Sequence, residues 1–107
     1  MRKAEIYLYN RLAGLLLEDE SGYTFQYDKE YLADNPVRLS VTFPLQSEKF
    51  QDRVLFPFFD GLIPEGWLLK IAADNWKLDP NDRMGLLLAC CRDCIGAASV
   101  REVNDEN

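Results

Sequence analysis

The chain has 107 residues, of which 48% are hydrophobic and 28% charged, and its formal net charge is −6. This length and balance predict a single globular domain over residues 1–107, with a core large enough to fold without disulfides or metals. Nucleic-acid affinity comes mostly from Lys and Arg side chains that displace counterions from phosphates. The acidic balance therefore argues against direct nucleic-acid binding.

The apolar runs are shorter than the roughly 20 residues that a membrane-spanning helix needs, and the charged N-terminus enters no apolar segment. The three cysteines, Cys90, Cys91 and Cys94, crowd into one short segment. Three cysteines so close together are unlike a disulfide framework, and they are typical of a protein from a reducing compartment. We therefore expect a cytoplasmic protein without membrane association.

The first half of the chain predicts strands. Segments 5–9, 12–18 and 23–27 are short, partly alternating and separated by turn residues, which is typical of an antiparallel meander. Gly14 is a candidate for a bulge or a close backbone approach. Segment 37–43 alternates again, and this pattern predicts a strand whose Val37, Leu39, Val41 and Phe43 side chains face the core.

The second half predicts helices and a last strand. Pro64 suits the first position of a helix over 65–76. Asp79 is the predicted N-cap of a second helix, with Asp82 in the capping-box position and an end near Asp93. Segment 96–103 supplies the closing strand. The predicted fold class is α+β, with an antiparallel β-sheet from the N-terminal half plus the C-terminal strand, packed with two or three helices.

The residues that common enzymes use are missing. The chain has no histidine and neither of the familiar glycine-rich phosphate loops. The Cys91–Cys94 spacing lacks the second ligand pair of a structural zinc site, and it falls at the predicted end of a helix, where the dipole does not lower a thiol pKa. We therefore expect no catalytic residue, no metal and no cofactor, and interpret the cysteines as structural.

The segment around the first predicted helix has more apolar surface than one core needs. On a helical wheel the apolar residues of 67–76 cover an arc of about 240°, whereas a helix on one core needs a stripe somewhat over about 100°. The preceding segment 56–64 is rich in aromatic residues and broken by Pro and Gly. The pattern favours the core for Phe59, Leu62 and Leu68. For Trp67 it leaves both a core position and an exposed contact open.

Several segments resemble the N-terminal subdomain of HipA-family kinases. These are 38–45 (RLSVTFPL), 59–65 (FDGLIPE), and 87–89 (LLA) followed by 92–97 (RDCIGA). Tyr27 and Asp28, ahead of Tyr31 and Leu32, fit the same pattern. Cys91 departs from it, because a small residue, often glycine, is expected there. The resemblance covers nearly the whole chain in order.

In that family the subdomain is followed by a kinase core with an ATP loop, a catalytic aspartate and metal ligands, none of which is in this sequence. The chain thus resembles the HipS component of split HipBST toxin–antitoxin systems. The resemblance implies a non-enzymatic antitoxin that binds and inhibits a HipT-like serine/threonine kinase toxin near its active site. It leaves open whether a HipB-like helix-turn-helix protein joins them in a ternary complex.

The predicted partner-binding residues are Trp67, Phe58, Asp60, Ile63 and Glu65. A domain separated from its kinase loses an effective concentration in the millimolar range and needs strong anchors instead, for which tryptophan is a common choice. Three alternatives stay open at this point. The chain is a structural or activating subunit of a split kinase, an N-terminal fragment of a full HipA-type toxin, or an unrelated enzyme.

Overall fold

A computed structural model describes residues 2–63, 74, 79, 81–90 and 98–103 of the chain. Within these ranges the chain forms five strands and three helices. In chain order they are β1 (Arg2–Leu8), β2 (Arg11–Asp19), β3 (Gly22–Tyr27), α1 (Lys29–Ala33), β4 (Phe50–Asp52), α2 (Pro57–Asp60), α3 (Arg83–Cys90) and β5 (Ala98–Val103).

The strands form one antiparallel sheet with the order β4-β3-β2-β1-β5. The N-terminal meander supplies its centre, and β5 returns from the end of the chain to pair with β1, with Val100 opposite Ile6. The predicted α+β fold class is confirmed, including the closing C-terminal strand. β4 was not predicted, because three residues are too few to show an alternation.

The β1–β2 hairpin depends on two special backbone positions. Its turn holds Tyr9 and Asn10 at φ 51° and 66°, the left-handed geometry that matches the twist of paired strands. The register shifts between Ile6 and Tyr7, next to the position of Gly14. A Cβ atom on Gly14 would lie 2.4 Å from the carbonyl oxygen of Gln26, so the predicted close approach is confirmed.

The core lies against one face of the sheet. Alternate residues of β1, Ala4, Ile6 and Leu8, are buried there, as the period of two along a strand requires. Phe25 lies at its centre, with ring centroids 5.0 to 6.2 Å from four other aromatic rings. These are the rings of Tyr27, Phe43, Phe50 and Phe59.

The predicted strand over 37–43 is wrong. The described chain between α1 and β4 forms turns and extended segments that join no sheet. Leu39 and Phe43 are buried, but Val37 is 50% exposed and Val41 is 76% exposed. The four side chains therefore do not share one core-facing side.

The reason is that two tyrosine hydroxyls take the hydrogen bonds that a neighbouring strand would have made. The Tyr27 hydroxyl donates to the carbonyl oxygen of Phe43 (2.5 Å) and accepts from the backbone N–H of Leu39 (3.0 Å). The Tyr31 hydroxyl donates to the carbonyl oxygen of Val37 and accepts from its N–H. The two rings are stacked, with centroids 6.1 Å apart.

The start of α3 also differs from the prediction. Asp82, not Asp79, caps this helix: its carboxylate accepts from the N–H of Gly85 (3.2 Å), and its carbonyl accepts from Leu86 N–H (3.0 Å). Asp79 instead accepts from the N–H of Asn81 (2.9 Å) in the turn before the helix. Both aspartates satisfy backbone donors, but the helix begins one turn later than the sequence pattern indicates.

Several predictions lie outside the described residues. The structure describes only Asp74, which is helical, from the predicted helix 65–76. It describes α3 as far as Cys90, so the predicted end near Asp93 and the cysteine side chains cannot be compared. The described part of β5, Ala98–Val103, lies within the predicted closing strand 96–103, and positions 96 and 97 lie outside the described residues.

A charged cluster fastens α3 to the sheet. The Arg2 guanidinium binds the Glu18 carboxylate of β2 (2.6 and 3.0 Å) and the Asp82 carboxylate (2.8 and 3.0 Å). The Tyr23 hydroxyl also donates to Glu18 (3.2 Å). The hydrogen bonds from Arg2 lower the pKa of Asp82 from its ordinary value of 3.8, and they raise the pKa of Arg2. Paired charges of this kind hold their geometry only while the carboxylates stay ionised.

Replacing Tyr27 with Phe tests the hydroxyl contacts. Tyr27→Phe leaves the Leu39 N–H and the Phe43 carbonyl without a buried partner, so we expect the free energy of unfolding to fall by about 1–3 kcal/mol in urea denaturation. Tyr9→Phe is the matched control, since Tyr9 is exposed, and its effect should stay within about 0.5 kcal/mol. Equal losses in the two variants would contradict this role for Tyr27.

The Asp82 contacts predict a loss of stability in acid. Because the pKa of Asp82 is lower in the folded state, its contribution is complete above the ordinary, unfolded-state pKa of 3.8 and is lost as pH falls through the folded value. The free energy of unfolding should therefore drop below about pH 4. Asp82→Asn should be less stable at neutral pH and should lose less on acidification. Asp74→Asn, at an exposed position, should follow the wild type.

Candidate partner-binding site

Three of the five predicted partner-binding residues, Phe58, Asp60 and Ile63, lie in or shortly after α2. This one-turn helix begins with Pro57, whose missing N–H costs nothing at the first helical position. The N–H of Asp60 donates to Phe56 (2.9 Å), and that of Gly61 donates to Pro57 (2.9 Å). The turn directs Phe59 fully into the core, as predicted for that residue, and leaves its neighbours on the surface side.

Phe58 is half-buried and anchored on other rings. Its centroid lies 5.2 Å from that of Phe59 and 6.0 Å from that of Phe43, both in edge-on geometry. Edge-on pairs of this kind stabilise the orientation of a ring beyond the area that they bury. Phe58 therefore presents the rest of its ring in a fixed position that a partner could cover.

Asp60 belongs to an ion pair that links two helices. The Arg83 Nε atom, at the start of α3, donates to Asp60 Oδ1 at 2.7 Å. The side chains are 43% and 32% exposed, so the pair lies at the surface and is accessible from outside. Arg83 was not predicted as a site residue, because only the tertiary arrangement brings it to Asp60, 23 positions away.

Ile63 lies inside the domain. Its side chain is 2% exposed and belongs to the core cluster, so in this conformation it has almost no surface to offer a partner. Its N–H donates to the carbonyl oxygen of Asp60 (3.2 Å), which fixes the exit of the chain from α2. Glu65 and Trp67 lie outside the described residues. The contact role of all five residues stays a prediction.

The described residues contain no group of three or more Cys, Asp or Glu side chains that could hold a metal ion. A depression of about 260 Å³ on the sheet is lined by apolar and polar residues, and two of the polar ones make contacts that hold the fold. In it, the Gln26 amide donates to the Ser47 carbonyl (2.9 Å), and the Asp28 carboxylate caps α1 by accepting from Tyr31 N–H (3.2 Å). Among the described helices, none has the length and apolar character needed to cross a membrane.

Comparison with known proteins gives consistent matches. The model of the HipA N-terminal domain family matches residues 4–101. A solved structure, the N-terminal domain of HipA toxin, superposes with a TM-score of 0.78 at 32% identity, and the match covers 99% of this chain and 96% of that chain. An uncharacterized protein of Haemophilus influenzae is 34% identical over 102 residues, which are 95% of this chain and 93% of that protein.

A longer relative contains the same domain as one part. The Sinorhizobium fredii protein named "Putative kinase Y4mE" is 29% identical over 108 residues. The match covers 99% of this chain, which spans only 26% of that relative. The family model covers most of the chain, and the solved structure shares its strand and helix arrangement. The chain belongs to the HipA N-terminal domain family.

Proposed function

We propose that this protein is an antitoxin that binds a HipT-like serine/threonine kinase and inhibits it by contact near the active site. The observation that carries the proposal is the surface of α2. This one-turn helix carries the half-buried Phe58 and, two residues on, the Asp60 of an accessible ion pair with Arg83, a few residues before Trp67 in the chain. An aromatic side chain next to a charged pair is a common composition for a protein-binding surface.

The relatives support a partner of this kind. In the Sinorhizobium fredii relative, a domain of this family is about a quarter of a longer protein named as a kinase. In the Haemophilus influenzae relative, the match covers 93% of the protein, which leaves little room for any other domain. Domains of this family thus occur both within a longer chain and almost alone, and we propose that this one acts as a separate partner.

A separate domain needs more binding energy than a fused one. Fusion supplies an effective concentration in the millimolar range, and a free domain must replace that advantage with contacts. Trp67 and Phe58 would supply it by burying aromatic surface on the kinase. The Asp60–Arg83 pair would contribute mainly to specificity and association rate, because surface charges act on these more than on affinity.

Inhibition would follow if the segment after α2 occupied the kinase cleft and blocked the placement of ATP or substrate. A second candidate is a non-inhibitory structural or activating subunit that completes the kinase, which the kinase-like relative favours. The phosphorylation rate of the kinase, measured with and without this protein, separates the two. A fall supports the antitoxin, and a rise supports the activating subunit.

Replacing Trp67 tests the main anchor. Trp67→Ala should weaken kinase binding about thirtyfold, which corresponds to an anchor worth about 2 kcal/mol. It should abolish growth rescue in cells that express a HipT-like kinase toxin which the wild-type protein neutralises. Tyr9→Ala, which removes an exposed aromatic ring from the β1–β2 turn, should preserve rescue. Full rescue by a soluble, folded Trp67→Ala variant would exclude Trp67 as the contact, and Trp67→Phe, which keeps an aromatic ring, should retain partial rescue.

Variants of the ion pair can distinguish direct contact of Asp60 with the kinase from a role in holding α2 against α3. Asp60→Ala and Arg83→Gln both break the pair, and each should change the free energy of unfolding by less than about 1 kcal/mol because the pair is partly exposed. If Asp60 itself touches the kinase, Asp60→Ala should raise the Kd more than Arg83→Gln does in titration calorimetry. Equal increases would mean that the pair only holds α2 against α3.

A further inference from the structure

Exposed apolar side chains are concentrated in one stretch of the described structure. Six large hydrophobic residues are exposed in the described part of the chain, and four of these lie between positions 37 and 54. Val41 is the most exposed of all, at 76%. The four are Val37, Val41, Leu45 and Val54. Single exposed apolar residues are ordinary. Val41 differs from the others in the extent of its exposure and in how firmly the chain on either side of it is held.

Val41 lies at the tip of a tight turn. The N–H of Phe43 donates to the carbonyl oxygen of Ser40 (3.0 Å), which closes the turn around Val41 and Thr42. The Ser40 hydroxyl also accepts from the N–H of Thr42 (3.0 Å). Central turn positions are normally taken by Gly, Pro, Asn, Asp or Ser, each for a backbone reason. A β-branched valine serves none of these reasons, and its exposure gains nothing for folding.

Both ends of this turn are fixed to the core. Leu39 and Phe43 are buried. The Tyr27 hydroxyl accepts from the N–H of Leu39 and donates to the carbonyl oxygen of Phe43. The conformational entropy of the segment is therefore lost on folding and not on binding. A rigid apolar tip of this kind binds at a lower entropic cost than a flexible one.

The turn is continuous with the surface of α2. The Phe43 ring lies 5.2 Å from that of Phe56 and 6.0 Å from that of Phe58, so the base of the turn and the helix rest on the same side chain. Arg38 is exposed just before the turn, in a protein whose net charge is −6. A second copy of this acidic chain would be repelled, and one turn is far too small for the roughly 1,200 Å² of a stable interface.

We propose that residues 39–43, the Val41 turn, form a second docking element for the same kinase, an inference that rests on the function proposed above. The Val41 side chain would enter an apolar depression on the kinase, beside an acidic group that faces Arg38. The turn and α2 would then bind side by side, and neither alone would need to supply a whole interface.

The test is the affinity of the full chain for a HipT-like kinase, measured by titration calorimetry. Val41→Asn should raise the Kd about tenfold, because it removes the burial of one exposed valine. Val41→Ile, which keeps the apolar shape, should stay within about twofold of the wild type. Leu15→Asn is the matched control: Leu15 is exposed on β2, away from the turn, and its replacement should leave the Kd unchanged.

The outcomes separate this inference from the function that it rests on. If the wild type binds the kinase and Val41→Asn binds equally well, the docking role is overturned and the proposed function stands. If Val41→Asn alters only self-association in size-exclusion chromatography, the turn joins copies of this chain and the inference is again wrong. If the wild type does not bind the kinase, both the docking role of the Val41 turn and the proposed function are wrong.

Discussion

The structure depends on one hydroxyl group, that of Tyr27, which holds two backbone groups four residues apart. It accepts from Leu39 N–H and donates to the Phe43 carbonyl, and so fixes a segment that has no strand partner of its own. Burial raises the pKa of Tyr27, which keeps the hydroxyl protonated and able to donate. Because Phe43 is thereby placed over Phe25, the aromatic core and the support for α2 have a common origin.

A second constraint fixes the helices to the sheet. Arg2 in β1 and Arg83 in α3 each bind a carboxylate on another element, and Asp82 both caps α3 and pairs with Arg2. Gly85 shows how close this packing is, since a Cβ atom there would lie 2.4 Å from Asp82 Oδ2. The helices are thus positioned by a few directed contacts near the protein surface, in addition to apolar burial. The site around α2 takes its shape from these contacts.

The sequence predicted the meander and the closing strand because period-two burial and turn residues act locally. The same alternation failed at 37–43, since it shows which side chains could be buried but not which group will bond the backbone. At the candidate site, an excess of apolar residues drew attention to the segment of Phe58 and Asp60, whose contact role stays a prediction. The burial of Ile63 and the pairing of Arg83 could not be predicted, because both depend on how α2 and α3 are placed in three dimensions.

A fused domain and a separate one can have the same core, because folding makes the same demands on both. What must differ is the surface, since only the separate domain has to hold its partner by contacts alone. In this chain Phe58 packs on the buried ring of Phe43, and the backbone N–H of Phe43 closes the turn that exposes Val41. A change in the packing of Phe43 would therefore also change the spacing between these two surface elements. A partner that contacts both elements would bind the folded domain and not an unfolded chain with the same residues.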